Sequence, residues 1–401
     1  MNDIFLLAIL TYLVMIVFGR LTSKYLHIPW MFTVVVFSIV LSSFGLFKST
    51  FEGEVFQFLA RTGMLFFLFT IGVDLELDKI KAMGKQIVIG DIVMTLGEGL
   101  VLGLFFYLVF PEFVSHSFPV ALVAGIAFGT VGEVALLAVL KEFGLEKTRF
   151  GQLALGIGVF DDLFEMLALG IVITLASLTA DTSGTTGVES ILKVLVVIAA
   201  IALVTFLLVR ASGSIKGKLE NFQNDSFVIP ALIFLIILSF FYFSSLFVEN
   251  LGVIAAIFSG IAVQKFMPEK FLQIYKKQIY FVGSMFLGPF FFLSLGSKIS
   301  FESILTYPLL ILTIILITLL MRVTISYLFF RKLVGKRQSL VLGVGLSNKF
   351  STSVVSENIL FTSGLMAAPL YSAIMASFIL LKPIVLGTFS RYLALIRDQV
   401  E

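Results

Sequence analysis

The chain contains no cysteine, which excludes disulfides, thiol nucleophiles and thiolate metal sites. Charge is scarce as well. Asp, Glu, Lys and Arg make up 13% of the residues, about half the roughly 25% of soluble domains. Only two histidines occur, His27 and His116. Both fall in expected loops and have no ligating partner at a suitable spacing. The net charge is only +3, and no basic run suggests nucleic acid as a partner.

Apolar residues fill the space left by these absences. They make up 59% of the 401 residues, and the mean hydropathy is +1.09. Apolar stretches of about 20 residues, the length that crosses a bilayer as a helix, recur along the chain. The expected fold class is therefore an all-α polytopic membrane protein whose solvent is the lipid bilayer. Thirteen transmembrane helices are expected, near Ile4–Leu21, Pro29–Phe47, Val55–Val73, Gln86–Phe110, Ser117–Leu140, Phe150–Leu178, Ile191–Val209, Phe227–Phe247, Leu251–Gln264, Ile279–Gly296, Ile304–Phe329, Ser339–Phe361 and Met366–Ser390. The first stretch has no basic flank and no small-residue cleavage site, so it reads as a retained helix rather than a signal peptide.

Loop charges orient these spans. Basic residues gather after every odd helix: Arg20 and Lys24, then Lys79, Lys81 and Lys85, then Lys141, Lys147 and Arg149. The pattern continues with Arg210, Lys216 and Lys218, with Lys265, Lys270, Lys276 and Lys277, and with Arg331, Lys332, Lys336 and Arg337. The alternate loops hold little beyond Lys48 and Lys298. Positive loops face the cytoplasm, so the N-terminus is expected outside and the C-terminus inside the cytoplasmic membrane. One membrane domain is expected over 1–401, with no soluble regulatory domain. Helices 1–6 (1–178) and 8–13 (226–401) form two halves, joined by helix 7 and its loops (179–225). An even number of helices per half plus one linker inverts the second half, the common plan of secondary transporters.

Against this apolar background a few charges stand out. The segment GIGVFDDLFEM places Asp161, Asp162 and Glu165 inside helix 6. Asp161 is about eleven residues, or roughly 17 Å, from the cytoplasmic end of that helix. A carboxylate at such a depth costs roughly 2.5–3.5 kcal/mol on insertion scales. Glu98 and Glu133 are acids in helices 4 and 5; Arg322, Lys349 and Lys382 are bases in helices 11, 12 and 13. Acids come from the first half and bases from the second, in corresponding helices. Isolated buried ion pairs stabilise poorly, so a whole layer of them is hard to explain by packing alone.

Helices 5 and 12 also carry interruptions. GIAFGTVGEVA (Gly125–Ala135) is rich in glycine and includes Thr130; GVGLSNKFSTS (Gly343–Ser353) contains Ser347, Asn348, Lys349 and Ser351. Such breaks are tolerated at membrane depth where they line a cavity, and paired breaks in two halves mark an ion site. For Gly125 and Gly129 close helix packing accounts for the glycines equally well.

These segments resemble the monovalent cation:proton antiporters of the Kef and NapA type. MLFFLFTIGVDLELDKI (Met64–Ile80) is similar to the third helix of that family, and VLKEFGLEKTRFGQLALGIGVFDDLFEMLAL to the stretch entering its Asp-Asp helix. LGPFFFLSLGSKIS and VLGVGLSNKFSTSVVSENIL resemble its later segments. The resemblance spans essentially the whole chain. It implies crossed broken helices, Asp162 as the cation and proton carrier, and Asp161 paired with the basic residue of helix 11, here Arg322. It also implies a homodimer, alternating access of the elevator type, and no cofactor beyond transported Na⁺ and H⁺. Arg322 stands where Lys is common, and arginine cannot give up its proton. Lys349 and Glu133 depart from the family pattern and are expected to neutralise each other or the ends of the broken helices, tuning cation affinity without carrying the ion; Lys382 lies where neutral residues are usual. The expected function is exchange of Na⁺, with Li⁺ as a second candidate, for protons. The alternative is a K⁺:H⁺ antiporter or gated K⁺ system. An intramembrane aspartyl protease needs two facing carboxyls, whereas neighbours on a helix diverge by about 100°. An enzyme is therefore not expected, and a sensor without transport is the remaining class.

Overall fold

A computed structural model describes residues 2–26, 28–75, 84–132, 136, 139–140, 143–145, 148–180, 187–213, 216, 227–246, 251–349 and 353–400. The described secondary structure is helical throughout. Among the described residues, eight helices are long and apolar enough to cross a membrane, and three shorter apolar ones accompany them, Trp30–Ser43, Phe118–Phe128 and Gly252–Phe266. Burial differs widely among the long ones. In Ala368–Leu393, 72% of the apolar window is buried, against 17% in Asn2–Tyr25. The former packs on nearly all sides. The latter turns Phe5, Ile9, Leu13 and Ile16 outward, as suits a helix whose solvent is hydrocarbon.

The chain divides into two units. One comprises Lys48–Leu75 and Ile173–Ser294. Within it the Glu54–Asp74 helix lies against Gly252–Phe266. Gly72 and Gly260 make this possible, because a Cβ on either would run into the backbone of the other helix, at Ile257 or Phe69. Phe66, Phe69 and Val73 then pack with Ile229, Ile233, Val263 and Phe266.

The other unit comprises Met1–Phe47, Glu76–Val172 and Leu295–Glu401. Its Lys85–Val109 helix packs on Phe118–Phe128 and on Pro308–Val334. Glycine again sets the first contact. A Cβ on Gly103 would lie 2.7 Å from Leu122 Cα, and one on Gly125 would overlap the Gly99 carbonyl. Pro308–Val334 starts on a proline whose missing N–H costs nothing in the first turn. It ends at Gly335, whose φ of +91° suits glycine alone. Lys336–Leu346 then doubles back along it, and Gly343 lets the backbones meet; its Cβ would lie 2.5 Å from Val323 Cα.

Two expected spans are interrupted within the stretches rich in Gly and in Ser/Asn/Lys. In Ser117–Leu140 the helix Phe118–Phe128 ends at Gly129, and Thr130–Gly132 are not helical. Ser339–Phe361 is divided into Lys336–Leu346 and Ser353–Thr362. One difference precedes Gly288–Ser297. The lysine-rich stretch expected as a loop is a helix, Glu269–Tyr280. Its Phe271, Tyr275 and Ile279 recur every fourth residue and pack into the core, while the lysines take the other faces. That amphipathic spacing forms a helix despite the charge.

The glycine contacts are testable in detergent melts. Gly125→Val should lower stability by about 1–3 kcal/mol, the usual cost of overpacking. Gly387 lies in Ala368–Val400 with nothing within 4 Å of an added Cβ, so Gly387→Ala should be neutral or stabilising by up to about 1 kcal/mol.

Candidate ion-binding site

The Lys85–Val109 helix places Asp91, Thr95 and Glu98 at i, i+4 and i+7, one face of the helix. All three are fully buried. Pro308–Val334 brings Arg322 to that face, and the interruption after Lys336–Leu346 brings Lys349; neither side chain touches solvent. One oxygen of Glu98 serves both cations. Arg322 Nε donates to Glu98 Oε2 at 2.6 Å, and Lys349 Nζ donates to the same atom at 2.8 Å. Arg322 Nη2 also donates to Thr95 Oγ1 at 3.3 Å. Thr95 in turn donates to Asp161 Oδ1 at 2.8 Å, and the Val131 N–H donates to Asp161 Oδ2.

Asp161 was expected as the partner of Arg322. Its Oδ2 is 3.8 Å from Arg322 Nη2, an ion-pair distance without a hydrogen bond. The carboxylate that Arg322 hydrogen-bonds is that of Glu98. Lys349 likewise takes Glu98, together with the Gly129 carbonyl at 2.8 Å. Its expected partner, Glu133, lies outside the described residues, as does Ser351. Asp162 and Glu165 belong to the Arg149–Ala180 helix, and their side chains are outside the description.

The two interruptions meet. Where a helix stops, its terminal N–H and C=O groups lose their partners. Here the segments supply one another. The Gly132 N–H donates to the Asn348 carbonyl at 2.7 Å, and Asn348 Nδ2 donates back to the Gly132 carbonyl. Thr130 and Ser353 share a hydroxyl–hydroxyl bond of 2.5 Å. Ser347 donates to its own helix at the Gly343 carbonyl. Lys382, 2% exposed, donates to Asn348 Oδ1 and lies 5.2 Å from the Phe32 ring centroid, within cation–π range. Thus Thr130, Ser347, Asn348, Lys349, Lys382, Arg322, Glu98 and Asp161 are drawn into one connected buried region.

Asp91 is a further buried acid of this region, one not expected from the sequence. Both of its oxygens lack a hydrogen-bond partner among the described residues, as do Glu98 Oε1 and Arg322 Nη1. The signal was present: Asp91 sits one turn before Thr95 and two before Glu98 in an otherwise apolar helix. Among the described residues no group of three or more His, Asp or Glu side chains could hold a metal ion. The region offers carboxylate, hydroxyl and backbone oxygens, the hard ligands that suit alkali cations.

Removing one partner of a buried ion pair typically costs about 3–5 kcal/mol, because the other charge is stranded. Glu98→Gln strands two. It should lower the thermal midpoint more than Asp161→Asn does, and adding Lys349→Met should restore part of the loss. Equal melts for the single and double variants would show that the shared oxygen is not what holds these segments.

Comparison with known proteins gives the family. Residues 6–394 match the transmembrane sodium/hydrogen exchanger family. The probable Na⁺/H⁺ antiporter 3 of Methanocaldococcus jannaschii is 23% identical over 364 residues, covering 88% of this chain and 87% of that protein. The Na⁺/H⁺-K⁺ antiporter GerN of Bacillus cereus is 26% identical over 337 residues, 82% and 81% of the two chains. The structure of the sodium proton antiporter MjNhaP1 of Methanocaldococcus jannaschii at pH 8 aligns with a TM-score of 0.66 over 99% of both chains at 13% identity, a likeness of fold. With a family match running almost end to end over a chain of apolar helices, the protein is a member of the transmembrane sodium/hydrogen exchanger family: a multi-pass integral membrane protein and a secondary transporter, not an enzyme.

Proposed function

We propose that the chain exchanges Na⁺ for protons across the cytoplasmic membrane by alternating access, with Asp162 as the site for which the two ions compete. The observation that carries this reading is the meeting of the two helix interruptions beside Asp161, with backbone oxygens freed at the same depth as the buried charges. Glu98 and Asp161 offset Arg322 and Lys349. The charge of Asp162, the next residue along the helix, is then left for the transported ion. Protonated, Asp162 has no charge to hold Na⁺. Ionised, it binds Na⁺ together with carbonyl oxygens of the interruptions. Occupation by one ion excludes the other, and exposure of the site to each side in turn gives exchange. Arg322 keeps its proton throughout, so it holds the site in shape and carries nothing.

In this reading the interruptions are the crossed broken helices of two inverted six-helix repeats, within thirteen spans that begin outside and end inside. The carrier unit moves in an elevator manner, and the protein works as a homodimer. Li⁺ is a second cargo on the chemistry of the ligands. A second reading, K⁺ in place of or beside Na⁺, is supported by the printed name of GerN, a Na⁺/H⁺-K⁺ antiporter.

Dissipation of a pH gradient in proteoliposomes on adding Na⁺, Li⁺ and K⁺ in turn tests both readings. Na⁺ and Li⁺ should collapse the gradient; a response to K⁺ alone would favour the second. Asp162→Asn should abolish the response while the protein still folds and purifies. Exchange at the wild-type rate in that variant would remove Asp162 from the role.

A further inference from the structure

Glu357 has no part in the cluster around Glu98. It lies in the Ser353–Thr362 helix and is fully buried. Neither of its carboxylate oxygens has a hydrogen-bond partner among the described residues. Tyr371, on the Ala368–Val400 helix, is also fully buried, and its hydroxyl likewise lacks a partner there. The Tyr371 ring is fixed by stacking on Phe361, one turn beyond Glu357, with centroids 4.5 Å apart and planes at 12°. An ionised carboxylate without a donor in a dry site is among the costliest arrangements a fold can hold. A proton removes the charge and makes the group both donor and acceptor. A single buried carboxyl can hold a proton by itself, whereas an alkali cation needs a larger shell of oxygens.

The position of Glu357 gives the proton a route. Ser353 is one turn before Glu357, so the two share a helix face. Ser353 meets Thr130 at the contact of the interruptions, and the next residue, Val131, donates to Asp161. In the other direction lies a polar rim. Lys298 donates to Asn358 Oδ1 at 3.1 Å, and the Ser300 N–H donates to Ser372 Oγ at 2.9 Å. Burial pushes the Lys298 amine down to about 8. The Phe118–Phe128 helix, which packs on Ser353–Thr362, brings no titratable side chain. The Ala368–Val400 helix brings Tyr371, and its Lys382 is bonded to Asn348.

We infer that Glu357 is a proton-binding station separate from the central cluster, exchanging protons between water on the Thr362 side and the central acids along Ser353 and Thr130. The carboxylate takes a proton from that water and is restored when the hydroxyls relay one inward. The inference rests on the exchange reading above. Two measurements separate its failure from failure of that reading.

The first is infrared difference spectroscopy between acid and alkaline buffers, on protein in nanodiscs. Glu357→Gln has the shape of the protonated acid and should fold. A carboxylic-acid band that grows on acidification is expected in wild type, in Asp162→Asn and in Lys298→Gln. It should be missing in Glu357→Gln and displaced in Tyr371→Phe. The second is exchange in oriented proteoliposomes. Glu357→Gln should slow it by roughly tenfold or more when protons enter from the Thr362 side, with Na⁺ affinity by calorimetry unchanged. A band present at every pH, a changed Na⁺ affinity, or a wild-type rate and pH profile in Glu357→Gln would each overturn the inference. Wild-type protein that moves no cation would instead overturn the exchange reading, since the infrared band is read without transport.

Discussion

A single oxygen atom, Oε2 of Glu98, receives hydrogen bonds from both Arg322 and Lys349. These residues come from three separate stretches of chain, none of them within 25 residues of another in sequence. Each charge taken alone would be very costly to bury. Together they are tolerable only at this geometry, so the segments that carry them have little freedom to slide. The rest of the region follows. Thr95 is caught between Arg322 and Asp161 and gives its hydroxyl proton to the acid. Lys349 is drawn to the depth of Gly129, where a helix has ended and a carbonyl is free.

The interruptions and the buried charges therefore solve each other's difficulty. A helix that stops inside a membrane strands polar backbone atoms, and a cation without partners is equally unwelcome there. Lys349 meets the Gly129 carbonyl, and Asn348 meets both polar groups of Gly132. Lys382 reaches across from another helix to hold the remaining oxygen of Asn348. The arrangement keeps the backbone out of helical bonding at both interruptions without leaving it bare.

Much of this was legible in the sequence where the signal is local. Apolar length alone located helices such as Arg149–Ala180 to within a few residues. Glycine and Ser/Asn/Lys at the interruptions marked where Phe118–Phe128 and Lys336–Leu346 would stop. The motifs around the aspartate pair pointed to the exchanger family that the whole-chain match establishes. Partner choice was legible only in part. Arg322 does lie at ion-pair distance from Asp161, but that it also hydrogen-bonds Glu98 depends on how closely Pro308–Val334 approaches Lys85–Val109, which is set by packing between residues more than 200 positions apart. Asp91 escaped notice because it sits near the start of its helix, where a carboxylate reads as solvated. The lysines of Glu269–Tyr280 masked an apolar repeat for the opposite reason: charge drew attention away from spacing.

The glycine contacts carry one more consequence. At Gly72 and Gly260, and again at Gly99, Gly103 and Gly125, a hydrogen atom sits where no larger group fits. Shifting either helix pair along its axis by a turn would bring a bulky side chain to the narrow point. The pairs therefore act like a key in a lock with one cut, admitting one alignment and jamming at the others. Folding can discard misaligned pairs early, on shape alone, before any charge has been buried. The same feature leaves these five positions with almost no mutational latitude, in a chain whose lipid-facing surface can exchange one aliphatic residue for another with little consequence.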